Sequence, residues 1–277
     1  MKKLISLALL ASISYAANAA DLGSVETYDF DSFKLHIYNT HDVMADTSYI
    51  IEGKDSLVTM EQPLFKANVA EFDDYLAKLN KKVEKRISDY HLGGTFAEPL
   101  VMPEGMDKFV KGPVYSGMMQ HFAQVFGDTI VAEPTGAVET VPFHTHEKWA
   151  GVDFVFHPGA SSDFPAASIV IGDKVYYTHW AFSKAHLNPL QISSRAAVKA
   201  ELEEAQKALA SNAELFIGGH GGVATRDLVE FRVQYLSNLE SLLNQYKNPN
   251  SVVNALLERY PILPGAEGLS DAVKKFY

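Results

Sequence analysis

The run His144-Thr145-His146-Glu147 places two histidines one residue apart. On an extended chain such a pair points to one face and can chelate a metal; it also serves as a solvated polar edge. Another histidine, His220, is framed by Gly218, Gly219, Gly221 and Gly222. Glycine lets backbone or ligand approach closely, which suits an imidazole at a site. Ser88 lies just before His91, and a serine becomes a nucleophile only where a base reaches its hydroxyl. No G-x-S-x-G turn surrounds it, so serine hydrolysis is the minor reading. The glycines around His220 lack the Lys-Ser/Thr of a phosphate loop and the Rossmann spacing, which argues against a nucleotide. Arg86 is permanently cationic and either pairs with Asp89 or meets a carboxylate or phosphate on a ligand.

The elements that must position these residues follow from periodicity. Phe33 to Tyr38 alternates apolar and polar, as a half-buried strand does. Thr47 to Ile51 and Ser56 to Met60 are β-rich runs around the turn Glu52-Gly53-Lys54-Asp55, a hairpin pattern. Val69, Phe72, Leu76 and Leu79 then recur at helical spacing. Residues 81–86 carry little signal of their own; read as a strand, they deliver the chain to Arg86–Gly94. Met118, His121, Phe122 and Val125 fit one helix face, ended by Gly127-Asp128, with a short strand expected over 129–132. Residues 151–157, 167–171 and 174–178 read as strands, the last two joined through Gly172-Asp173. Helices follow at Val198–Leu209 and Leu228–Tyr246, with a buried strand at Leu215-Phe216-Ile217 between them. Asn248-Pro249-Asn250 breaks the second helix, and Val252–Tyr260 forms another. Strands and helices in this order make an α/β chain of two or more layers.

The N-terminal residues read as a targeting segment. Lys2 and Lys3 precede an apolar run from Leu4 to Ile13, and Ala17-Asn18-Ala19 is a small-x-small cleavage pattern. This predicts a secretory signal peptide over 1–19 and a single exported domain over 20–277, periplasmic or secreted. The 277 residues contain no cysteine, so stability rests on a buried core rather than on disulfides. The formal charge is −10, and more negative still without Lys2 and Lys3. That balance argues against nucleic acid and against anionic membrane surfaces, and favours a small-molecule ligand or substrate.

Four landmarks, in order, resemble the metallo-β-lactamase superfamily. Asp46-Thr47-Ser48-Tyr49-Ile50-Ile51-Glu52-Gly53, followed by an apolar strand ending at Glu61, resembles its opening hairpin. Arg86-Ile87-Ser88-Asp89-Tyr90-His91-Leu92-Gly93-Gly94 resembles its H-x-H-x-D-H metal loop with the closing glycines. His157-Pro158-Gly159-Ala160 and Ile217-Gly218-Gly219-His220-Gly221 resemble its later histidine-bearing segments. The resemblance covers nearly all of the chain after residue 19 and implies a four-layered αββα sandwich with the site at one edge. It also implies a degraded site. The first-metal ligands fall on Arg86, Ser88 and Ala160, and arginine and alanine cannot ligate. The second-metal position falls on Tyr90, His91, His220 and a residue near His179. Three histidines, His91, His179 and His220, satisfy a single zinc and leave one position open for water. Asp89 is then the residue to orient or deprotonate that water.

Two readings remain open at this point. In one the protein is a hydrolase with at most one zinc, acting on an ester, amide or lactone. In the other it is a non-catalytic binding protein that uses Arg86, Tyr90 and Trp180 to hold a small anionic ligand. Convergence of the three imidazoles on one point separates the two.

Overall fold

The computed structural model describes residues 22–93, 99–132, 137–160, 165–187 and 191–277. The predicted signal segment 1–19, Gly94 and the segments between these ranges lie outside the described residues. Two sheets face each other. The first has seven strands in spatial and sequence order: β1 (Ser24–Asp29), β2 (Lys34–Asn39), β3 (Thr47–Glu52), β4 (Ser56–Met60), β5 (Lys82–Ile87), β6 (Leu100–Pro103) and β7 (Val138–Val141). Strands β1 to β4 are antiparallel neighbours, and β4 to β7 pair in parallel. The second sheet contains β8 (His146–Trp149), β9 (Val152–Pro158), β10 (Ala167–Ile171), β11 (Val175–Trp180), β12 (Leu215–His220) and β13 (Gly222–Ala224), in spatial order 13-12-11-10-9-8. It is antiparallel except for the parallel pair β11 and β12.

Alternation along the strands builds the centre. Leu35, Ile37, Tyr49, Ile51, Val58, Met60 and Ile87 of the first sheet meet Phe154, Phe156, Ile169, Ile171, Tyr177 and Ile217 of the second, all essentially buried. The opposite faces take helices. Phe72 and Leu76 of α1 (Lys66–Lys78) cover Tyr38, Ile50 and Leu57 on the first sheet. Ala205 and Ala208 of α4 (Arg195–Ala210), with Val229 of α5 (Arg226–Gln245), cover Tyr176 and Phe216 on the second. Each fully buried aromatic or aliphatic side chain contributes roughly 1.5–3 kcal/mol, which is why both faces of each sheet must be covered. The result is the expected αββα sandwich. Between α1 and α4 come α2 (Met106–Val110) and α3 (Pro113–Phe126), and α6 (Pro249–Arg259) and α7 (Ala266–Lys274) pack against α4 and α5.

The punctuation read from sequence has physical counterparts. Gly172 and Asp173 both adopt positive φ, and the Lys174 amide donates to the Ile171 carbonyl (3.1 Å), closing the β10–β11 hairpin. At Asn248 the break is a helix cap: its side chain accepts from the Asn250 amide, with Pro249 in the first turn of α6. The strand expected over 129–132 does not form. Gly127–Thr129 is a short 3-10 turn, and Ile130 makes a single bridge to Phe65. Among the described residues the run pairs only with the segment before α1, where the Val131 amide also donates to the Leu64 carbonyl (2.9 Å). Among the described residues, no helix is long and apolar enough to cross a membrane.

Candidate metal centre

Parallel pairing decides where the site lies. Strands β4 and β5 run together, so Glu61 and the 88–91 segment emerge at the same edge of the first sheet. Strands β11 and β12 do likewise, so His179 and His220 emerge together from the second. The outer ends of parallel strands are the usual place for a ligand in such sheets. The two edges are tied to each other. Asp46 bridges His220 backbone to backbone, and the buried Tyr49 hydroxyl donates to the Gly218 carbonyl (2.7 Å).

At that edge the three imidazoles meet. One ring nitrogen each from His91, His179 and His220 lie within 4.8 Å of one another. Nε2 of His91 is 3.2 Å from Nε2 of His220. Two nitrogens bound to one tetrahedral zinc at ~2.0–2.1 Å are about 3.3–3.4 Å apart, so this spacing fits a shared ion. The ring of His179 lies 5.5 Å from His91 and 4.9 Å from His220, nearly perpendicular to the latter. Its Nδ1 is buried without a hydrogen-bond partner, which in a folded protein calls for an ion or a water. Burial pushes the His179 imidazole well down, and His220 and His91 push it further, so it is neutral and free to ligate.

Carboxylates stand behind the outer two rings. Glu61 Oε2 lies 3.2 Å from His91 Nδ1. The same carboxylate accepts the backbone amides of Asp89 (2.6 Å) and His91 (3.2 Å). Glu61 is wholly buried and its backbone sits at φ 55°, a costly conformation for a residue with a side chain. On the other side, His220 Nδ1 lies 3.1 Å from both Asp46 Oδ1 and the Met44 carbonyl oxygen. Burial pushes the Asp46 carboxyl up, but His91 and His220 outweigh it and hold the group below the usual carboxylate range. Burial lowers His220, and its Asp46 contact more than reverses this. The Met44 carbonyl only accepts, so it fixes the proton of His220 on Nδ1 and leaves Nε2 free to ligate, while the nearby carboxylates favour a cation at the rings. Three imidazoles with carboxylates close to two of them make a donor set that fits a divalent ion.

Glycine makes the close approach possible. A Cβ on Gly218 would sit 2.2 Å from the Ala181 backbone nitrogen, and one on Gly219 would crowd the Tyr177 hydroxyl and the His91 ring. Aromatic rings form the walls. Tyr90 lies 4.1 Å from His179 between ring centres, and Trp180 4.5 Å from His220. The Tyr90 hydroxyl donates to the Pro165 carbonyl, so this residue is held as a wall and not as a ligand.

Other sequence-predicted residues are placed differently. Asp89 is fully buried below the cluster, and both carboxyl oxygens lack a side-chain partner. Burial, reinforced by Glu61, raises its pKa well above the carboxylate range. A neutral, sealed carboxyl is a poor base, so the water-activating role assigned to Asp89 is not favoured by this geometry. Arg86 alternates with Ile87, which joins the inter-sheet core, and pairs with Thr59 on β4. The Ser88 hydroxyl donates to the His91 carbonyl (2.6 Å) rather than to an imidazole, which removes the nucleophile–base pairing. His144 has φ 65°, so it and His146 are not on one extended run, and His144 packs near His157 at 5.8 Å. Asp46 and Glu61, which flank the imidazole group, are not singled out as site residues by the sequence. An acid ending a buried apolar strand was the available signal for Glu61.

No protein-family model and no curated protein matches the chain. Solved structures do. A stereoselective inverting sec-alkylsulfatase from Pseudomonas sp. superposes with TM-score 0.60 at 15% identity, over 86% of this chain and 48% of that one. A β-lactamase domain protein from Burkholderia ambifaria gives 0.58 at 11% identity, over 90% and 86%. A metallo-β-lactamase from Pontibacter korlensis gives 0.54 at 15% identity, over 78% and 100%. The chain has the metallo-β-lactamase fold. This chain spans about half the length of the alkylsulfatase and the full length of the metallo-β-lactamase. On that fold it brings together three histidines, His91, His179 and His220, in a group that could hold a metal ion.

Proposed function

We propose that this protein is an exported, single-domain hydrolase with one zinc held by His91, His179 and His220. The observation that carries the reading is the 3.2 Å approach of His91 and His220 within a three-imidazole group. Bound there, zinc supplies a water acidified to near-neutral pKa and a Lewis acid for a carbonyl. The substrate class is an ester, amide or lactone. Asp46 positions His220 from behind, its Oδ1 lying 3.1 Å from His220 Nδ1 and 3.9 Å from His91 Nε2. Glu61 holds His91 and its loop in place. Tyr90 and Trp180 exclude water from either side.

A second metal is not part of this reading. Arg86, Ser88 and Ala160 occupy the positions that resemble first-metal ligands, and none offers an imidazole or carboxylate. The non-catalytic alternative, with an anionic ligand in the cleft, is disfavoured by charge. Glu61 and Asp46 sit directly behind the histidines, so an anion would meet carboxylates unless a cation came first.

The test is metal content of full-length protein purified without chelator. One zinc per chain, lost on His220→Ala together with ester or lactone hydrolysis, supports the proposal. Absence of stoichiometric metal in the wild-type protein removes it.

A further inference from the structure

Helix α3 is anomalous for a surface helix. Its fourteen residues, Pro113–Phe126, contain no Asp, Glu, Lys or Arg, in a chain where 21% of residues are charged. Only Tyr115 is fully buried; Val114 and Val125 are 50% and 46% exposed, and Met118, Met119 and Phe122 are half-buried. An uncharged helix left largely in water has an unmet apolar face.

That face is continuous with the metal centre. The Tyr115 hydroxyl donates to the Tyr90 carbonyl (3.1 Å), and the Tyr90 ring packs on His179. Phe109 of α2 joins Tyr90 to Tyr115, and Met118 and Met119 extend the same apolar cluster. A strip of aromatic and thioether side chains therefore leads from the histidines along the helix. Methionine-rich surface adapts to flexible apolar ligands. Its size argues against a protein partner: a 14-residue helix face is about 21 Å by 10 Å, roughly 200 Å², against ~800 Å² per side for a stable interface. Its lack of charge argues against an anionic or cationic occupant.

Building on the hydrolase reading, we infer that α3 binds the hydrocarbon tail of a neutral ester whose carbonyl lies at the histidines. The substrate class is thereby narrowed to esters or lactones bearing a linear acyl or alkyl chain. The chain lies along the α2–α3 wall and enters past Tyr90.

Two measurements on the full chain test this. The first compares p-nitrophenyl acetate, hexanoate and decanoate as substrates. The specificity constant should rise with chain length, by up to about fourfold per methylene for complete burial and roughly twofold on a half-open face. The second measures calorimetric binding of methyl decyl ether, an uncleavable neutral probe, to wild type, His220→Ala and Val114→Glu. Binding should survive His220→Ala and fall at least tenfold in Val114→Glu, with Met118→Glu as a second variant. Ether binding without any hydrolysis would remove the hydrolase reading yet leave tail binding on α3 standing. A flat chain-length series, or ether binding unchanged in both α3 variants, overturns the inference. So does a concentration-dependent dimer abolished by Val114→Glu, or binding to neutral phosphatidylcholine vesicles that requires Val114; these assign the face to a second copy or to a lipid surface.

Discussion

Glu61 Oε2 and His91 Nδ1 stand 3.2 Å apart, and the glutamate that makes this contact has a left-handed backbone. The strain is retained because one carboxylate serves three groups: the His91 ring and the amides of Asp89 and His91. Removing it unmakes the loop and not merely one contact.

Glu61→Gln keeps the shape but puts an NH2 where an acceptor is needed. Zinc affinity is expected to fall about 10–100-fold, the usual effect of losing a group that orients a metal ligand. Competition against a chromogenic chelator measures it. Unchanged affinity would show that the backbone alone holds His91.

Metal removal should lower stability without unfolding the chain. The inter-sheet core is built from apolar side chains independent of the histidines. A ligand at a hundredfold its dissociation constant adds about 2.7 kcal/mol. Chelator-treated protein should therefore melt several degrees lower, with recovery on adding zinc and no such response in His220→Ala. A melting temperature insensitive to chelator in the wild type speaks against the site.

Gly218→Ala should be strongly destabilising. The new Cβ would lie 2.2 Å from the Ala181 nitrogen and 2.8 Å from its Cα, both backbone atoms that cannot swing away. Overpacking of this kind costs about 1–3 kcal/mol or more. Gly268→Ala, inside α7 with open space around it, should instead stabilise by about 0.5–1 kcal/mol. Urea denaturation of the pair checks the contrast, and equal effects would contradict the packing at Gly218.

Glu201 gives the protein a pH-dependent stability away from the metal. It is buried on α4, receives a hydrogen bond from Gln191 (2.9 Å) and lies near Arg232. Burial pushes its carboxyl up to about 7 from 4.5, with Arg232 opposing. The folded chain therefore holds this proton more tightly than the unfolded chain. Stability from this group is full below about 4.5 and is lost as pH rises through about 7, by about 3 kcal/mol at most. Glu201→Gln should flatten the fall between pH 5 and 8 in urea midpoints. An unaltered slope would place the titration elsewhere.

Much of the fold was legible because its strongest signals are local. Ile171-Gly172-Asp173-Lys174 is a hairpin whatever surrounds it, and the period of Phe72 and Leu76 requires an apolar partner. Strands β1, β7 and β8 carry no clean apolar alternation because they are largely polar and exposed, and β6 is an apolar run of only four residues whose partner β7 lies far along the chain. Much the same divides the site. His91 and His220 were legible through nearby glycines and the family resemblance, and His179 through the resemblance alone. Asp46 and Glu61 were not, since their role depends on which ring nitrogen each faces across a sheet edge. Asp89 read as a base because its position in sequence beside His91 gave no hint that its side chain turns inward.

The Tyr49 hydroxyl reaches the Gly218 carbonyl across 169 positions of sequence. Its donor strand belongs to the first half of the chain and its acceptor to the second, as do His91 and His220. A chain still lacking β12 has His91 but not His220, and its first sheet lacks part of the apolar face it packs against. The three-imidazole group therefore exists only once the two halves have closed on each other.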